Sequence, residues 1–458
     1  MMAKTKLRIS SIGLVLALGS SVASVHAKMS QQDVLKLDTE LTPVGAERGG
    51  NIEGTIPAWT GGITTPPAGY KPGGNYIDPF ADDPIEFTIT AENFEKVKDK
   101  LTIGHQTLLK KHPATYKMHV YPSRRSASYS QEVYDALKKN AMNAELLELG
   151  AGVKNGSVAS PFPIPQSAEE ILWNHVLRYR GDAVSSKTGY AAVTSGGSYT
   201  PIMTERDIVF IYAQEELDAR KFENKFFYLK VLTLSPPQQA GNISLVHESI
   251  DQVSSPRMAW QYFAGQRRLR RSPSLAYDSD LPNTDGLRTT DQYDMFNGAP
   301  DQYEWKIVGK KEMYVPYNAY RLNDKSVSYD DIIDPAHINQ DLARYELHRV
   351  WVVEGKLRVG IQHIYSKRVL YFDEDSWQVL ATEEYDDDGN IWRVQEGHAM
   401  NYYDQPLVWT ALELVYDLKS DRYLVEGLDN QEPDSYNFKP GFRLDDFSTS
   451  AVRREAKR

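Results

Sequence analysis

Four arginines are the residues of this chain best suited to capture an anionic group. Arg267 and Arg268 begin a basic run that ends at Arg271, and Arg124 and Arg125 form a second pair. A guanidinium can hold a carboxylate or a phosphate through two parallel hydrogen bonds. The four side chains could therefore hold the headgroup of an amphiphile at the mouth of a cavity. The alternative is that alternate arginines of a strand pair with acidic side chains of neighbouring strands.

Aromatic side chains are the second feature, because the chain has 28 tyrosines and 8 tryptophans. Each combines a large apolar body with a polar tip that can face water or a headgroup. Their concentration in strand-like and helical segments favours the lining of a ligand cavity, and the alternative is that they fill a large β core. The candidate lining residues are Trp173, Tyr179, Phe210, Tyr212, Phe227, Tyr228, Trp260, Tyr262, Trp305 and Trp351.

Known signatures of catalysis and metal binding are missing from the sequence. There is no G-x-S-x-G elbow, P-loop, H-E-x-x-H or G-x-G-x-x-G motif, and there is no cysteine. His247-Glu248 begins like a zinc-protease motif, but Asp251 stands where the second histidine belongs. We therefore expect no enzymatic activity, no cofactor and no protein-bound metal. An envelope hydrolase would need a nucleophile and a base that only folding brings together.

Two acidic runs have a simpler explanation than calcium binding. Residues 386–390, Asp-Asp-Asp-Gly-Asn, lack the later bidentate glutamate of a calcium loop and lie between two strand-like segments. A hairpin turn accounts for this run. The run Asp373, Glu374 and Asp375 precedes Trp377 and is interpreted in the same way.

The first 27 residues predict export. Lys4, Lys6 and Arg8 precede the apolar stretch 9–18, and Val25-His26-Ala27 is typical of a signal-peptidase site, with cleavage after Ala27. We therefore expect a periplasmic protein without a transmembrane segment in its mature chain. Removal of residues 1–27 takes away three positive charges and no negative ones, so the formal charge changes from -10 to -13. This charge argues against nucleic-acid binding.

The elements that must position the candidate residues follow an irregular N-terminal arm, residues 28–87, which is rich in Gly and Pro. Three amphipathic helices are predicted next. The first runs from a cap at Thr90 towards Pro113, the second from about Ser130 to Gly150, and the third from a capping box at Ser167 and Glu170 to Gly181.

About ten strands are predicted between residues 208 and 425, and Met258, Trp260 and Tyr262 show the period-two pattern most clearly. Short links between the strands favour an antiparallel meander with helices on one face, an α+β fold. Residues 272–303 form a polar loop with a single helical turn at 291–296. We expect residues 88–458 to form one domain.

Several long sequence strings resemble the bacterial envelope family called domain-of-unknown-function family 1329. They are LTPVGAER at 41–48, GTIPAWTGG at 54–62, YPSRR at 121–125, FPIP at 162–165, WNH at 173–175, RYRG at 178–181, GQRR at 265–268, DMFNG at 294–298, the stretch from Trp305 to VPYNAY at 315–320, and RYELHRVW at 344–351. Together they extend over nearly all of the mature sequence.

The resemblance implies an enlarged form of the lipoprotein-carrier fold shared by LolA and LolB. In that fold a half-open, curved antiparallel sheet or barrel is wrapped over helices and encloses an apolar cavity. The resemblance also implies a place beside resistance-nodulation-division (RND) or MMPL-type exporters and an outer-membrane partner. It supplies no catalytic residues. The N-terminal arm and the polar loop depart from the small carriers.

Two functions are compatible with these features. The first is a periplasmic binding or carrier protein for a lipid-like or other hydrophobic molecule, accessory to an exporter. The second is a structural or assembly adaptor for an exporter or outer-membrane partner, without a small ligand. A continuous empty apolar volume would favour the carrier, and a core filled with Trp and Tyr would favour the adaptor.

Overall fold

The computed structural model describes residues 29–214, 223–272, 277–433 and 436–457. The predicted signal peptide lies outside the described residues. The helices are α1 Gln31–Val34, α2 Ile103–Lys111, α3 Gln131–Asn143, α4 Ala168–Val176, α5 Tyr329–Ile332 and α6 Thr449–Glu455. The strands are β1 Phe87–Ile89, β2 Met118–Val120, β3 Glu145–Leu146, β4 Val153–Lys154, β5 Ala183–Val193, β6 Ile202–Phe210, β7 Lys225–Ser235, β8 Ile243–Ser249, β9 Met258–Phe263, β10 Arg268–Arg271, β11 Tyr303–Pro316, β12 Tyr345–Leu357, β13 Lys367–Asp373, β14 Val379–Tyr385, β15 Ile391–Asn401, β16 Val408–Asp417, β17 Arg422–Leu428 and β18 Tyr436–Asn437.

One large sheet contains 16 of these strands and is not closed into a barrel. Its order is β1-β2-β12-β13-β14-β15-β16-β17-β5-β6-β7-β8-β9-β10, while β11 pairs with β12 and β18 pairs with β5. All pairings are antiparallel except the single bridge between Tyr345 and Val120. The predicted α+β fold with a curved antiparallel sheet is therefore confirmed.

The predicted strand segments all overlap strands of the structure. The central strand β5 was missed, because its sequence from Ala183 to Val193 is rich in small and polar residues and lacks a clear apolar alternation. It lies between β17 and β6 and joins the two ends of the meander. The run at 386–390 is the turn between β14 and β15, as predicted, with Gly389 at φ 79°.

The helices differ from their predicted bounds. The first begins only at Ile103, after two 3-10 turns, because the hydroxyl of Thr102 rather than Thr90 caps it. The second ends at Asn143, since residues 145–146 pair with residues 153–154. The third begins as predicted, with the Ser167 hydroxyl accepting the amide of Glu170, but it ends at Val176 rather than near Gly181, and the Glu170 carboxylate accepts the amide of Gln166.

The sheet curls around α4 and the loop between β10 and β11. Side chains of β6 and β7 share one apolar cluster with side chains of β12, β13 and β14, although four strands separate these groups in the sheet. Trp173 of α4 and Phe296 of the loop belong to the same cluster. We call the face that they contact the inner face, and the described residues 277–302 the inner loop.

The opposite, outer face is covered by other helices. Gly104 of α2 lies against Val394 of β15, and Phe447 and Val452 at the C-terminal helix α6 pack with Leu245 of β8. Helices therefore lie on both faces of the sheet, and not on one face as the short links suggested.

The N-terminal arm lies along the body. Trp377 donates its Nε1–H to the carbonyl of Val44 at 2.9 Å, and the amide of Ile63 donates to Ser126 at 2.9 Å. Tyr76 donates to Asp404 at 2.7 Å. The arm thus satisfies its backbone groups against the domain, and the division of the chain at residue 87 stays a prediction.

Candidate ligand site on the inner face

A cavity of about 50 Å³ opens on the inner face between β5, β6 and β7 on one side and β16 and β17 on the other. Its apolar walls include Val184, Ile208, Leu229, Trp409 and Tyr436. Trp409 and Tyr436 are only partly buried, so the cavity reaches the surface on their side. Its volume is far below the roughly 300–1,000 Å³ typical of ligand pockets, so in this conformation it holds no more than a few waters.

Charged side chains form the other walls of the cavity. Arg206, Asp294, Glu413 and Glu426 line it, and Ser186, Thr188 and Thr410 add hydroxyl groups. Arg206 lies 2.5 Å from Glu426, and Arg288 pairs with Glu426 and, at 2.9 Å, with Glu413. The Nε of Arg206 is buried and has no hydrogen-bond acceptor among the described residues. An unpaired buried donor is costly, so an acceptor group that reached this atom would be stabilised by it.

Glu413 and Glu426 are directly opposite each other in the β16–β17 pair. Burial raises the pKa of Glu413 to about 7, and the charge of Glu426 adds to the rise although Arg288 opposes it. Burial also opposes ionisation of Glu426, but Arg206 and Arg288 outweigh it and lower its pKa. Two carboxylates therefore compete for the same arginines, and Glu413 is the one that takes up a proton near neutral pH.

The inner loop closes the site through ion pairs. Asp294 accepts two hydrogen bonds from Arg178, each 2.8 Å, and a third from Arg180 at 2.5 Å. Arg180 lies between Asp294 and the rings of Phe210 and Trp409. Despite complete burial, the two arginines hold the pKa of Asp294 well below its usual range. The loop therefore contributes an ionised carboxylate to the interior of the fold.

The remaining anchors of the loop are also polar. Asp291 binds Arg368 of β13 at 2.6 and 3.1 Å. His175 of α4 lies 2.8 Å from the carbonyl of Asp294 through Nε2, and its Nδ1 accepts the amide of Val379. Burial lowers the pKa of His175 to about 3, so the ring is neutral. The loop also makes apolar contacts, through Leu287, Tyr293, Met295 and Phe296.

Seven of the predicted lining aromatics pack on the inner side, although none lines the cavity itself. They belong to the apolar cluster that α4 and the inner loop complete: Trp173, Tyr179, Phe210, Tyr212, Phe227, Trp305 and Trp351. Trp173 and Tyr212 use their polar tips inside the protein, on the carbonyls of Gly150 and Ala159. Tyr179 lines a second, smaller cavity with Val133 and Trp377. Their role in binding stays a prediction.

The other three predicted aromatics lie on the outer face. Tyr262 and Trp260 of β9 and Tyr228 of β7 pack with Phe447 and Val452 under α6. The reason is strand phase, because residues of alternating position point to opposite faces and the sequence does not indicate which face is inside. These side chains lie on the opposite face from the cavity.

The four arginines proposed as a rim are placed in three environments. Arg125 is buried and binds Asp375 at 2.6 and 2.8 Å, while it also donates to the carbonyl of Glu47 in the arm. Arg124 is exposed and pairs with Asp83. Arg267 and Arg268 are exposed at the β9–β10 hairpin. The structure does not bring them together, and none of them lines the cavity.

Sequence reasoning missed the charged residues of the site, Arg206, Arg288, Glu413 and Glu426. A signal was present, since Glu413 stands between Leu412 and Leu414 in a strand whose other side chains are mostly apolar. The polar loop was recognised as unusual, but its insertion against the sheet was not. The pairing of a loop arginine with two strand glutamates depends on contacts across more than 100 positions of sequence.

Metal-ligand geometry occurs at a different place. Within the described part of the chain, one group of His and carboxylate donors is close enough together for a single ion, and it consists of His348, Asp373 and Asp375. No helix in the described ranges is long and apolar enough to span a bilayer.

A family model described as a protein of unknown function, DUF1329, matches residues 88–453. An uncharacterized protein of Pseudomonas aeruginosa is 45% identical to this chain over 444 residues, which cover 97% of this chain and 98% of that protein. This similarity extends through the N-terminal arm as well as the domain.

Solved structures with a similar fold have low sequence identity. One is described as a putative outer membrane lipoprotein-sorting protein domain from Vibrio parahaemolyticus, with a TM-score of 0.40, 12% identity and coverage of 59% of this chain and 92% of that chain. A DUF1329 family protein from Desulfovibrio piger has a TM-score of 0.39 and 13% identity, covering 60% of this chain and 92% of that one. A LolA superfamily protein from Nitrosomonas europaea has a TM-score of 0.37 and 13% identity, with 63% and 100% coverage.

Proposed function

The chain belongs to the DUF1329 family, as its motifs predicted, and we propose that it is a non-enzymatic periplasmic carrier for a lipid-like, amphiphilic molecule. The observation that carries the proposal is the composition of the inner-face cavity. Its apolar walls adjoin Arg206, whose Nε has no acceptor in the described structure. An amphiphile with an apolar chain and an anionic or acceptor headgroup matches both parts of this surface.

The charge balance of the site supports an anionic headgroup. The interacting charges are four arginines and three carboxylates: Arg178, Arg180, Arg206, Arg288, Asp294, Glu413 and Glu426. Four positive charges and three negative ones leave an excess of one positive charge, and protonation of Glu413 increases it. A headgroup carboxylate or phosphate would neutralise this excess in a place where water is scarce.

The described state is closed, and the inner loop is the element that must move to admit a cargo. The loop covers apolar strand side chains such as Phe227 with apolar contacts and several ion pairs. Buried ion pairs contribute little net stability compared with apolar packing, because desolvation offsets much of their attraction. Removal of the loop's charges would nevertheless leave Arg178 and Arg180 buried without a carboxylate, so a cargo that displaces the loop must supply an anionic group in place of Asp294.

The test is extraction of cargo from protein exported through residues 1–27 into a Gram-negative periplasm and purified without detergent. Organic extraction and mass spectrometry should find a near-stoichiometric amphiphile. Ser186→Leu, which fills the cavity from β5, should reduce the bound amount at least about five-fold, because an overpacked site cannot accept a chain without strain.

Lys187→Leu is the matched control, since position 187 is adjacent on β5 and points to the other face. If Ser186→Leu and Lys187→Leu bind the same amount of amphiphile, the ligand does not occupy this cavity. A wild-type protein that is free of lipid and fails to bind added phospholipid or fatty acid would contradict the carrier function.

An assembly adaptor is the second candidate, and the dense core together with one exposed strand favours it. Strand β10 lies at the end of the sheet with β9 as its neighbour, and Arg268, Arg270 and Arg271 are exposed on it. Such an edge can receive a strand from an acidic partner, for example an exporter or an outer-membrane protein. Charged edges also prevent unwanted pairing, so a cross-linking experiment from position 270 in the periplasm decides whether a specific partner is captured.

A further inference from the structure

A second polar centre, which shares no residue with the cavity lining, lies where β12, β13 and the turn before β14 meet. His348, Asp373 and Asp375 are all buried there. One donor atom from each, an imidazole nitrogen and two carboxylate oxygens, lies within 4.8 Å of the other two. The three residues come from two parts of the sequence, and the Asp373–Asp375 run looked like an ordinary turn.

The ring of His348 has a fixed orientation. Its Nε2 lies 3.0 Å from Glu346, and Tyr317 stacks on the ring at a centroid distance of 3.8 Å. Glu346 also accepts hydrogen bonds from Arg344 and Asn318, so it is held as a carboxylate. The Nε2–H therefore donates to Glu346, and Nδ1 is the ring nitrogen that faces Asp373. Metal-binding histidines commonly have this carboxylate behind the ring.

Asp373 has one satisfied and one unsatisfied oxygen. Its Oδ2 accepts hydrogen bonds from Tyr317 at 3.0 Å and from Ser376 at 2.5 Å. Its Oδ1 is buried without a partner in the described structure and lies 4.0 Å from His348 Nδ1. This separation is too long for a hydrogen bond. Two ligands of a tetrahedral ion with bonds of about 2.0–2.2 Å lie about 3.5 Å apart, so binding of one ion would draw these two atoms together by roughly half an ångström.

Asp375 and its neighbours set the charge of the centre. Both oxygens of Asp375 accept from Arg125, and Glu374 pairs with Lys310, Arg125 and Arg349. The connected network contains six carboxylates, from Glu47, Asp83, Glu346, Asp373, Glu374 and Asp375, and five cations, from Arg124, Arg125, Lys310, Arg344 and Arg349. Six negative and five positive charges leave one negative charge unmatched when His348 is neutral.

We propose that this centre binds one divalent transition-metal ion through His348 Nδ1, Asp373 Oδ1 and a carboxylate oxygen of Asp375. The donor set of one imidazole and two carboxylates suits Zn²⁺ or Mn²⁺, whereas Ca²⁺ and Mg²⁺ prefer oxygen donors alone. The ion has a structural role, because Asp375 holds Arg125 and Arg125 holds the carbonyl of Glu47 in the N-terminal arm. Metal binding would therefore secure the arm to the domain.

A proton on Nδ1 is the competing occupant of this space. It would make His348 an imidazolium and balance the same negative charge, without any metal. The two occupants differ in their response to added ions, since only a metal site has a stoichiometry and an ion preference.

The experiment uses the mature chain without a histidine tag, treated with a chelator and then dialysed. Incubation with Zn²⁺ or Mn²⁺ should restore one ion per chain by elemental analysis and raise the Tm by several degrees, while Mg²⁺ and Ca²⁺ should leave the Tm unchanged. Titration with Co²⁺ should produce a visible absorption band that saturates at one equivalent. The band is observed on the unmutated protein, so it tests the site even if substitutions impair folding.

His348→Gln and Asp373→Asn should each weaken Zn²⁺ binding about 100-fold or more, since each removes a ligand. His398→Gln is the matched control, because His398 is equally buried but lies beside Glu396 in another cluster. A chain that binds no ion and gives no Co²⁺ band leaves the proton as the occupant and overturns the proposal. Stoichiometric binding that survives both substitutions places the ion elsewhere and also overturns it.

Discussion

The inner and outer faces of β6, β7 and β8 are covered by elements of different chemistry. On the outer face, α6 and the residues before it place Phe447 and Val452 against Leu245 and Val209. On the inner face, α4 and the irregular inner loop form the cover, and the loop contributes Arg288 and Asp294 to buried ion pairs. The outer cover is mainly an apolar layer with an ion pair between Lys230 and Glu455, whereas the inner cover combines apolar contacts with several buried ion pairs.

This difference indicates where the molecule can open. A helix that covers the sheet with apolar side chains cannot be lifted off cheaply, because every apolar side chain that leaves the interface becomes exposed to water. Ion pairs in a dry site are stable only while each partner is present, and loss of one partner leaves a costly buried charge. The inner loop is therefore strongly held when intact and sensitive to single changes.

The largest expected effect is that of Asp294→Ala. The substitution leaves Arg178 and Arg180 buried without their carboxylate, and it should reduce the free energy of unfolding by about 3–5 kcal/mol. Urea denaturation followed by tryptophan fluorescence measures this change. A loss below about 1 kcal/mol would contradict the view that the loop is held by its ion pairs.

Val452→Ala on the outer face should have a smaller effect. Val452 is a residue of α6 whose side chain is fully buried against the sheet, and loss of two methyl groups should cost about 1.5–2 kcal/mol. The change should be the same at pH 5 and pH 8, since no charge is involved. The free energies of unfolding of Val452→Ala and Asp294→Ala, measured by urea denaturation at both pH values, compare the outer cover with the inner cover directly.

The pH dependence of the inner face should change in Glu413→Gln. The pKa of Glu413 is about 7 in the folded chain and starts from a usual value of 4.5, so the folded state binds the extra proton. The stabilisation that Glu413 contributes to the folded state is fully present below pH 4.5, where the group is protonated. It is lost as the pH rises from 4.5 to 7. Glu413→Gln should therefore gain about 1 kcal/mol relative to the wild type between pH 5 and pH 6. A constant difference across this range would show that Glu413 remains ionised.

The smallest effect is expected for the exposed arginines of β10. Arg268→Ala and Arg271→Ala should change the free energy of unfolding by no more than about 0.5 kcal/mol, as is usual for surface positions. If cross-linking from position 270 captures a partner, the same substitutions should weaken the capture without unfolding the chain. A large loss of stability would mean that these side chains are structural.

Much of the fold was predictable because it depends on local patterns. The period-two segments located the major strands other than β5, the N-cap residue of α4 was identified correctly, and the Asp-Gly-Asn turn joins β14 and β15 as expected. These features need only neighbouring residues, whose spacing the sequence displays directly. Helix starts were less accurate at α2, where Thr102 competes with Thr90 as the cap.

The candidate site was only partly predictable. Seven of the ten candidate lining aromatics pack on the inner side, whereas Tyr228, Trp260 and Tyr262 lie on the outer face because strand phase depends on which side the helices cover. Arg125 was identified as an anion-binding group, and its anion is the Asp375 carboxylate of the same chain. A charge has the same appearance in a sequence whether its partner is a ligand or a distant residue.

The sequence by itself determined the α+β class, the family and the placement of most strands, since these follow from alternation, turn residues and long shared strings. Only the tertiary structure decided that the polar loop lies inside, that Glu413 and Glu426 are opposite each other, and that His348 meets Asp373. The physical reason is the distance along the chain over which each effect acts. Propensity and periodicity act over a few residues, whereas burial, pairing and charge compensation depend on which distant segments the curled sheet brings into contact.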